Sequence, residues 1–181
     1  RISSDRHYAE ESLIRGMANS LGVVERNSYR KIDALGVEDG FYTIGIDAVY
    51  PYVSIREPIS VISSVATYRN GTLAEKIDYS YTNAVIHRQG LGFCGFGSIT
   101  SVDSNSRYKT LTYDPYKYGV LIKETTSGYE TIYNYAMARR DNGTLKLYMT
   151  SKIEDDFLKE THTVRLIDYD EYLNPKYVAV Y

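Results

Sequence analysis

The sequence has one cysteine and few histidines, which removes several classes of site at once. Cys94 stands alone among 181 residues, so an intramolecular disulfide and a zinc site made of several cysteines are both excluded. The three histidines, His7, His87 and His162, show no His-x-His or HExxH spacing, and the sequence predicts no metal and no cofactor. Because free cysteine is common in protein interiors, we expect Cys94 to have a structural role.

Tryptophan, long apolar runs and a strong net charge are also missing. No stretch of about 18 apolar residues occurs, which excludes a transmembrane helix within these residues. The formal net charge of −2 gives no basic surface for nucleic acid or for an anionic membrane, so neither is expected as a partner. A hydrophobic fraction of 43% is that of a folded chain, and we predict a single domain over residues 1–181.

The chain also begins without a methionine, at Arg1-Ile2-Ser3-Ser4. We interpret this opening as a cut end, and we expect a signal or a membrane anchor to have preceded Arg1. That expectation favours an extracytoplasmic location, in the periplasm or at a cell surface. The segments rich in tyrosine, serine and threonine agree with it, whereas a lone cysteine fits either kind of compartment.

The first forty residues have the pattern of helices. Ser3 or Ser4 can cap a first helix, and Gly22 is a natural place for it to end. The apolar residues that recur at every fourth position are Ala9, Leu13, Met17 and Leu21. We predict a second helix from about Ser28 to Leu35, and one helical insertion much later, at Glu154–Glu160.

From Phe41 onward the period changes to two, which is typical of strands. Asn70-Gly71 and Asn142-Gly143 each lie between alternating segments, and Asn-Gly is the strongest short-range signal of a hairpin. The sequence therefore predicts an α+β, β-dominated fold. A helical N-terminal region over 1–40 precedes an antiparallel up-and-down meander of about eight or nine strands over 41–181, curled or closed into a barrel.

A glycine-rich segment in the middle of the chain resembles a nucleotide-binding loop only in spacing. Gly90-Leu91-Gly92-Phe93-Cys94-Gly95 matches G-x-G-x-x-G, but dinucleotide loops need a helix after the glycines. Ser98 to Val102 has the pattern of a strand instead. We interpret the segment as a bend or bulge of the sheet, and, because no catalytic motif is present, the sequence favours a non-enzymatic protein.

Tyrosine is the abundant residue, with 20 copies against four phenylalanines. A tyrosine ring covers apolar surface while its hydroxyl meets water, which suits half-exposed sheets and binding surfaces. Two alternating sets project from one face of their strands and are the candidate binding residues. They are Ile77, Tyr79, Tyr81, Tyr129, Tyr133 and Tyr135. The alternative is that these rings simply fill the core.

Two functional hypotheses remain from the sequence. The first is an extracytoplasmic binding or sensing domain that holds a small amphipathic ligand or a partner protein on its tyrosine faces. The second is a structural subunit of a surface filament or adhesin, like a pilin head domain, whose first helix would continue from a hydrophobic segment upstream of Arg1. The residues upstream of Arg1 would separate the two hypotheses.

Overall fold

The structure, a computed structural model, describes residues 13–33, 40–139 and 143–181. Within these ranges there is no α-helix, only a 3₁₀ turn at Pro115–Lys117, and no helix is long and apolar enough to cross a membrane. The strands are β1 (Gly16–Ala18), β2 (Val23–Lys31), β3 (Tyr42–Thr43), β4 (Tyr52–Ser54), β5 (Ser60–Arg69), β6 (Thr72–Thr82), β7 (Val85–His87), β8 (Gly92–Gly95), β9 (Ser98–Asp103), β10 (Tyr108–Asp114), β11 (Val120–Thr126), β12 (Tyr129–Arg139), β13 (Leu145–Asp156), β14 (Thr161–Tyr169) and β15 (Pro175–Val180).

Twelve of these strands form one large sheet. Its order is β1-β2-β5-β6-β9-β10-β11-β12-β13-β14-β15, all antiparallel, with β3 added in parallel beside β6. The other three strands form a small antiparallel sheet, β4-β7-β8. The predicted antiparallel meander is confirmed, since each strand from β9 to β15 pairs with the next. The predicted fold class is nevertheless wrong: over the described residues the fold is nearly all β, has more strands than expected, and its large sheet does not close into a barrel.

The N-terminal helices predicted for 1–40 are wrong wherever the structure describes these residues. β1 and β2 form an antiparallel hairpin in which Gly16 lies opposite Arg26, and β2 runs through Ser28, where the second helix was expected to begin. Gly22 has a φ of 75° and lies in the hairpin turn. A glycine with a left-handed backbone conformation can end a helix or close a hairpin turn, so Gly22 in the sequence does not distinguish a helix from a hairpin. The rest of both predicted helices, in 1–12 and 34–39, lies outside the described residues.

The stripe that suggested the first helix is not a buried face. Met17 and Leu21 are exposed. The side-chain oxygen of Asn19 accepts hydrogen bonds from the N–H groups of Leu21 and Val23 and so closes the turn between β1 and β2. Apolar residues at every fourth position of so short a segment fit a strand-turn-strand unit as well as a helix. In the structure β2 pairs with β5, and this pairing stabilises the strand.

The helix predicted at Glu154–Glu160 is wrong for a related reason. β13 runs to Asp156, and the next four residues turn the chain into β14. The Asp156 carboxylate accepts hydrogen bonds from the N–H groups of Leu158 and Lys159, both at 3.1 Å. An aspartate that closes a turn in this way has the same local sequence signature as a helix N-cap.

The first Asn-Gly hairpin is confirmed. Asn70 and Gly71 have φ values of 50° and 79°, as a type I′ turn requires, and they join β5 to β6. At the second site β12 pairs with β13 and Gly143 has a φ of 81°. Asn142 itself lies outside the described residues.

The core lies where the small sheet packs against the first half of the large one, and β6 makes room for it by changing partners. β5 pairs with β6 only as far as Asp78, and beyond this point β3 takes its place, with Tyr42 beside Tyr81. The buried cluster consists of Ile32, Phe41, Tyr42, Ile55, Tyr81 and Ala84. β3 thus delivers the largest buried side chain, Tyr42, directly into the core.

The hydroxyl of Tyr42 takes the place of a backbone hydrogen bond. The Ile55 N–H donates to the Ala84 carbonyl at 2.8 Å, which continues the β4–β7 ladder by one pair. The Ala84 N–H donates to the Tyr42 hydroxyl at 3.1 Å, and this hydroxyl donates to the Ile55 carbonyl. The residue is 1% exposed, and burial raises the pKa of Tyr42. One hydroxyl therefore joins β3 to two of the three strands of the small sheet, through the residues that adjoin β4 and β7.

Replacing Tyr42 with Phe should destabilise the protein by about 2 kcal/mol or more, because a buried N–H and a buried carbonyl both lose their partner. The control is Tyr118→Phe at an exposed tyrosine, which should change the free energy of unfolding by less than about 0.5 kcal/mol. Urea unfolding followed by circular dichroism measures both values. Equal, small effects would contradict the role assigned to the Tyr42 hydroxyl.

Candidate functional site

The strand register brings both predicted tyrosine sets to one side of the large sheet. Directly paired residues share a face. One row crosses six strands through successive pairs, and its members are Tyr81, Ile99, Leu111, Glu124, Thr131 and Glu154. Ile77 and Tyr79 share this side with Tyr81, and Tyr129 and Tyr133 share it with Thr131, because each lies two or four residues away along its strand. We call this side the tyrosine face.

The two sets do not meet, however. β6 and β12 are four strand spacings apart, about 19 Å. Tyr81 is buried in the core, where its hydroxyl donates to the Ile62 carbonyl at 2.7 Å and burial raises its pKa to about 12. Tyr79 packs against the same core, and Ile77 lies half-buried beyond it. The β6 set therefore lies at the covered end of the tyrosine face, and the β12 set at its open end.

The β12 set forms a groove of its own. Its floor is Thr131, which is 6% exposed, and Tyr129 and Tyr133 lie on either side of it, about 13 Å apart along the strand. Glu124 and Glu154 stand directly opposite Thr131 on the two neighbouring strands. The groove measures about 340 Å³. On the tyrosine face it is lined by Glu124, Tyr129, Thr131, Tyr133, Lys152, Glu154 and Asp156, and we call it the tyrosine groove.

The last predicted residue, Tyr135, lies on β12 just beyond the groove. The register between β12 and β13 shifts after Asn134, so that Tyr135 faces Met149. Tyr135 is half-buried, and burial raises its pKa. It continues the aromatic surface towards the tip of the hairpin without lining the groove.

Hydrogen bonds fix the side chains at the β11 wall of the groove. Glu124 Oε1 lies 2.6 Å from Lys109 Nζ and accepts a hydrogen bond of 2.6 Å from the Tyr129 hydroxyl. Both donors, Lys109 first, lower the pKa of Glu124. The same contacts raise the pKa of Lys109 and of Tyr129, so all three groups keep their ordinary protonation state at neutral pH.

The β13 wall is built in the same way. Lys152 Nζ lies 2.7 Å from Glu154 and 5.8 Å from the centre of the Tyr133 ring, within the range of a cation–π contact. Arg165 contributes a second cation at 3.4 Å from Glu154. Asp156 is paired with Lys159 at 3.0 Å, and the hydrogen bond from this lysine is the main reason that the pKa of Asp156 is lowered. Each groove carboxylate on the tyrosine face is therefore already paired with a neighbouring cation.

The glycine-rich segment forms a bulged hairpin, as interpreted from the sequence. β7 and β8 pair Val85 with Gly95 and Ile86 with Phe93, which leaves Cys94 as the extra residue of the bulge. A strand, β9, follows it, so the helix that a dinucleotide loop needs is not there. Cys94 is half-buried, with its sulfur 3.5 Å from the carbonyl oxygen of Gly92, and its structural role stays a prediction.

Sequence reasoning found the two tyrosines of the groove but not the residues between and beside them. Glu124, Thr131 and Glu154 belong to three different strands, and only the register sets them side by side. The alternation of Tyr129, Thr131 and Tyr133 could have indicated a threonine floor between two rings. No group of three or more His, Cys, Asp or Glu side chains in the described ranges is arranged to hold a metal ion.

Comparison with known proteins does not identify the chain: no family model matches it, and no curated protein is significantly similar to it.

The Glu124 cluster should be visible in the pH dependence of stability. The pKa of Glu124 is lowered from 4.5, so its ionised form stabilises the fold above that pH, and this contribution is lost as the pH falls through the lowered pKa. Glu124→Gln should therefore be less stable than the wild type at pH 7, and the difference should shrink below pH 4.5. Urea titrations across this range measure it, with Glu75→Gln, at an exposed position of β6, as the control. Parallel pH profiles for both variants would contradict the assignment.

Proposed function

We propose that this chain is a non-enzymatic binding domain, and that the tyrosine groove holds a small amphipathic ligand. The observation that supports the proposal is the groove itself: two tyrosine rings flank a small floor residue, Thr131, and two hydrogen-bonding walls stand beside it. Rings of this kind cover apolar surface, while carboxylates and ammonium groups bind polar edges. A ligand with one apolar face and a polar rim suits both parts.

The charge balance of the groove favours a neutral ligand. Of its five lining carboxylates, three lie on the tyrosine face, those of Glu124, Glu154 and Asp156, and each of these three has a lysine or arginine within 3.5 Å. A cationic or anionic ligand would have to displace one of these ion pairs. A neutral saccharide would not, since its hydroxyl groups can donate to the carboxylates and accept from the ammonium groups. Its C–H face can lie on a tyrosine ring.

The filament hypothesis loses its main support. It depended on an N-terminal helix that would continue from an upstream hydrophobic segment, whereas the described part of this region is a β-hairpin. An extracytoplasmic location remains part of the present proposal. Its support is the abundance of tyrosine, serine and threonine along the strands, and a polyhydroxylated ligand at a cell surface would agree with it.

The proposal is tested by titration with methyl glycosides of glucose, galactose, mannose and N-acetylglucosamine. At least one should bind with a dissociation constant on the order of 1 mM, as expected for so few ligand atoms in an open groove. Chemical shifts of labelled tyrosine rings would report the binding. Tyr129→Ala should weaken it at least about fivefold by removing a stacking ring, while Tyr129→Phe should retain most of it.

The matched control is Tyr108→Ala. Tyr108 is 40% exposed and Tyr129 is 39% exposed. Tyr108 lies on the other face of the sheet from the tyrosine groove, where it is paired with Val102. This variant should bind as the wild type does. Absence of binding to every glycoside, or equal weakening by Tyr108→Ala and Tyr129→Ala, would contradict the proposal.

A further inference from the structure

The last strand of the large sheet, β15, has one side without a partner among the described residues. The opposite edge, β1, is only three residues long, and short edge strands are one of the ways in which proteins prevent edge-to-edge pairing. β15 is twice that length, and its protecting residues, Pro175 and Lys176, lie at its start, whereas the following Tyr177-Val178-Ala179-Val180 carries no charge and no proline. The side chains of Val178 and Val180 are 49% and 60% exposed.

The hydrogen bonds to β14 show which backbone groups face outward. Val164 and Tyr181 exchange both of their N–H···O bonds, at 3.0 and 2.9 Å. In an antiparallel ladder such pairs alternate with pairs that make no bonds to each other. Every second residue before Tyr181 therefore also points its backbone N–H and C=O groups at β14, and in the register these residues are Ala179 and Tyr177. The N–H and C=O groups of Val178 and Val180 therefore point away from the sheet.

We propose that β15 pairs with β15 of a second copy of this chain. In antiparallel pairing about a two-fold axis at Ala179, each residue whose backbone groups point outward faces another such residue. Val178 of each copy then lies opposite Val180 of the other copy, which gives two equivalent pairs. This register forms four backbone hydrogen bonds. The two sheets then continue into one another across the axis.

The side chains are self-complementary in this register. Val178 and Val180 project on one face and form two apolar pairs across the joint. On the other face Tyr177 of each copy lies opposite Tyr181 of its mate, and both tyrosines are exposed in the single chain. Aromatic and β-branched cross-strand pairs are among the stabilising ones, and here they meet with no opposed like charges. A two-fold contact closes on itself, so the product is a dimer and not a fibre.

The proposal is tested by sedimentation of the 181-residue chain over a concentration series. One six-residue strand makes a small interface, so we expect a reversible dimer with a dissociation constant on the order of 0.1 mM. The amide protons of Val178 and Val180 should become protected from hydrogen exchange as the fraction of dimer rises with concentration, since these two N–H groups are solvated in the monomer. A monomer at every concentration up to about 1 mM, or assemblies larger than a dimer, would overturn the proposal.

Two substitutions locate the contact. Val178→Pro removes an outward-facing N–H and leaves the bonds to β14 in place, and it should weaken the dimer at least about tenfold, since the bond is lost twice per dimer. Val180→Lys adds a charge at the joint while keeping every backbone group, and it should act in the same direction. The control, Val49→Lys, adds the same charge at an exposed loop residue and should leave the dimer unchanged. A dimer that persists in both β15 variants would show that another surface forms it.

Discussion

The fold depends on one buried hydroxyl group. Tyr42 belongs to a strand of only two residues, yet its hydroxyl bridges the Ala84 N–H and the Ile55 carbonyl, and so replaces one of the two hydrogen bonds that these residues would otherwise make to each other. Without this hydroxyl the Ala84 N–H and the Ile55 carbonyl would be buried without that partner. β3 lies beside β6 with Tyr42 opposite Tyr81, and from this position the ring reaches both Ile55 and Ala84.

Beyond this core, as far as the structure describes the chain, the sheet continues as a single layer, and polar contacts between side chains keep both of its faces compatible with water. On the tyrosine face, ion pairs such as Lys109–Glu124 and Lys152–Glu154 bridge neighbouring positions. On the other face, hydroxyl groups bond across the strands, as between Thr100 and Thr110 at 2.9 Å. Each exposed contact of this kind contributes little.

The sequence predicted what depends on neighbours along the chain and failed where distant pairing decides. Asn70-Gly71 specifies its turn by backbone conformation alone, so the hairpin could be predicted. Gly22 and Asp156 are local signals with two meanings, a helix end or a strand turn, and only the pairing of β2 with β5 and of β13 with β14 resolves them. The groove shows the same limit. Tyr129 and Tyr133 were found by their spacing, whereas Glu124 reaches them from another strand.

Tyrosine illustrates why composition could suggest a binding surface without locating it. The same residue type closes a ladder at Tyr42, fills the core at Tyr81, and lines an open groove at Tyr129. What differs is the partner of the hydroxyl: a backbone carbonyl where the ring is buried, a carboxylate where it is exposed. Burial raises the pKa of the Tyr81 hydroxyl most, to about 12, whereas for Tyr129 the hydrogen bond to Glu124 is the larger cause. The role of each tyrosine is therefore set by the group that its hydroxyl reaches, and in none of these three cases is that group on the residue paired with the tyrosine in the strand register.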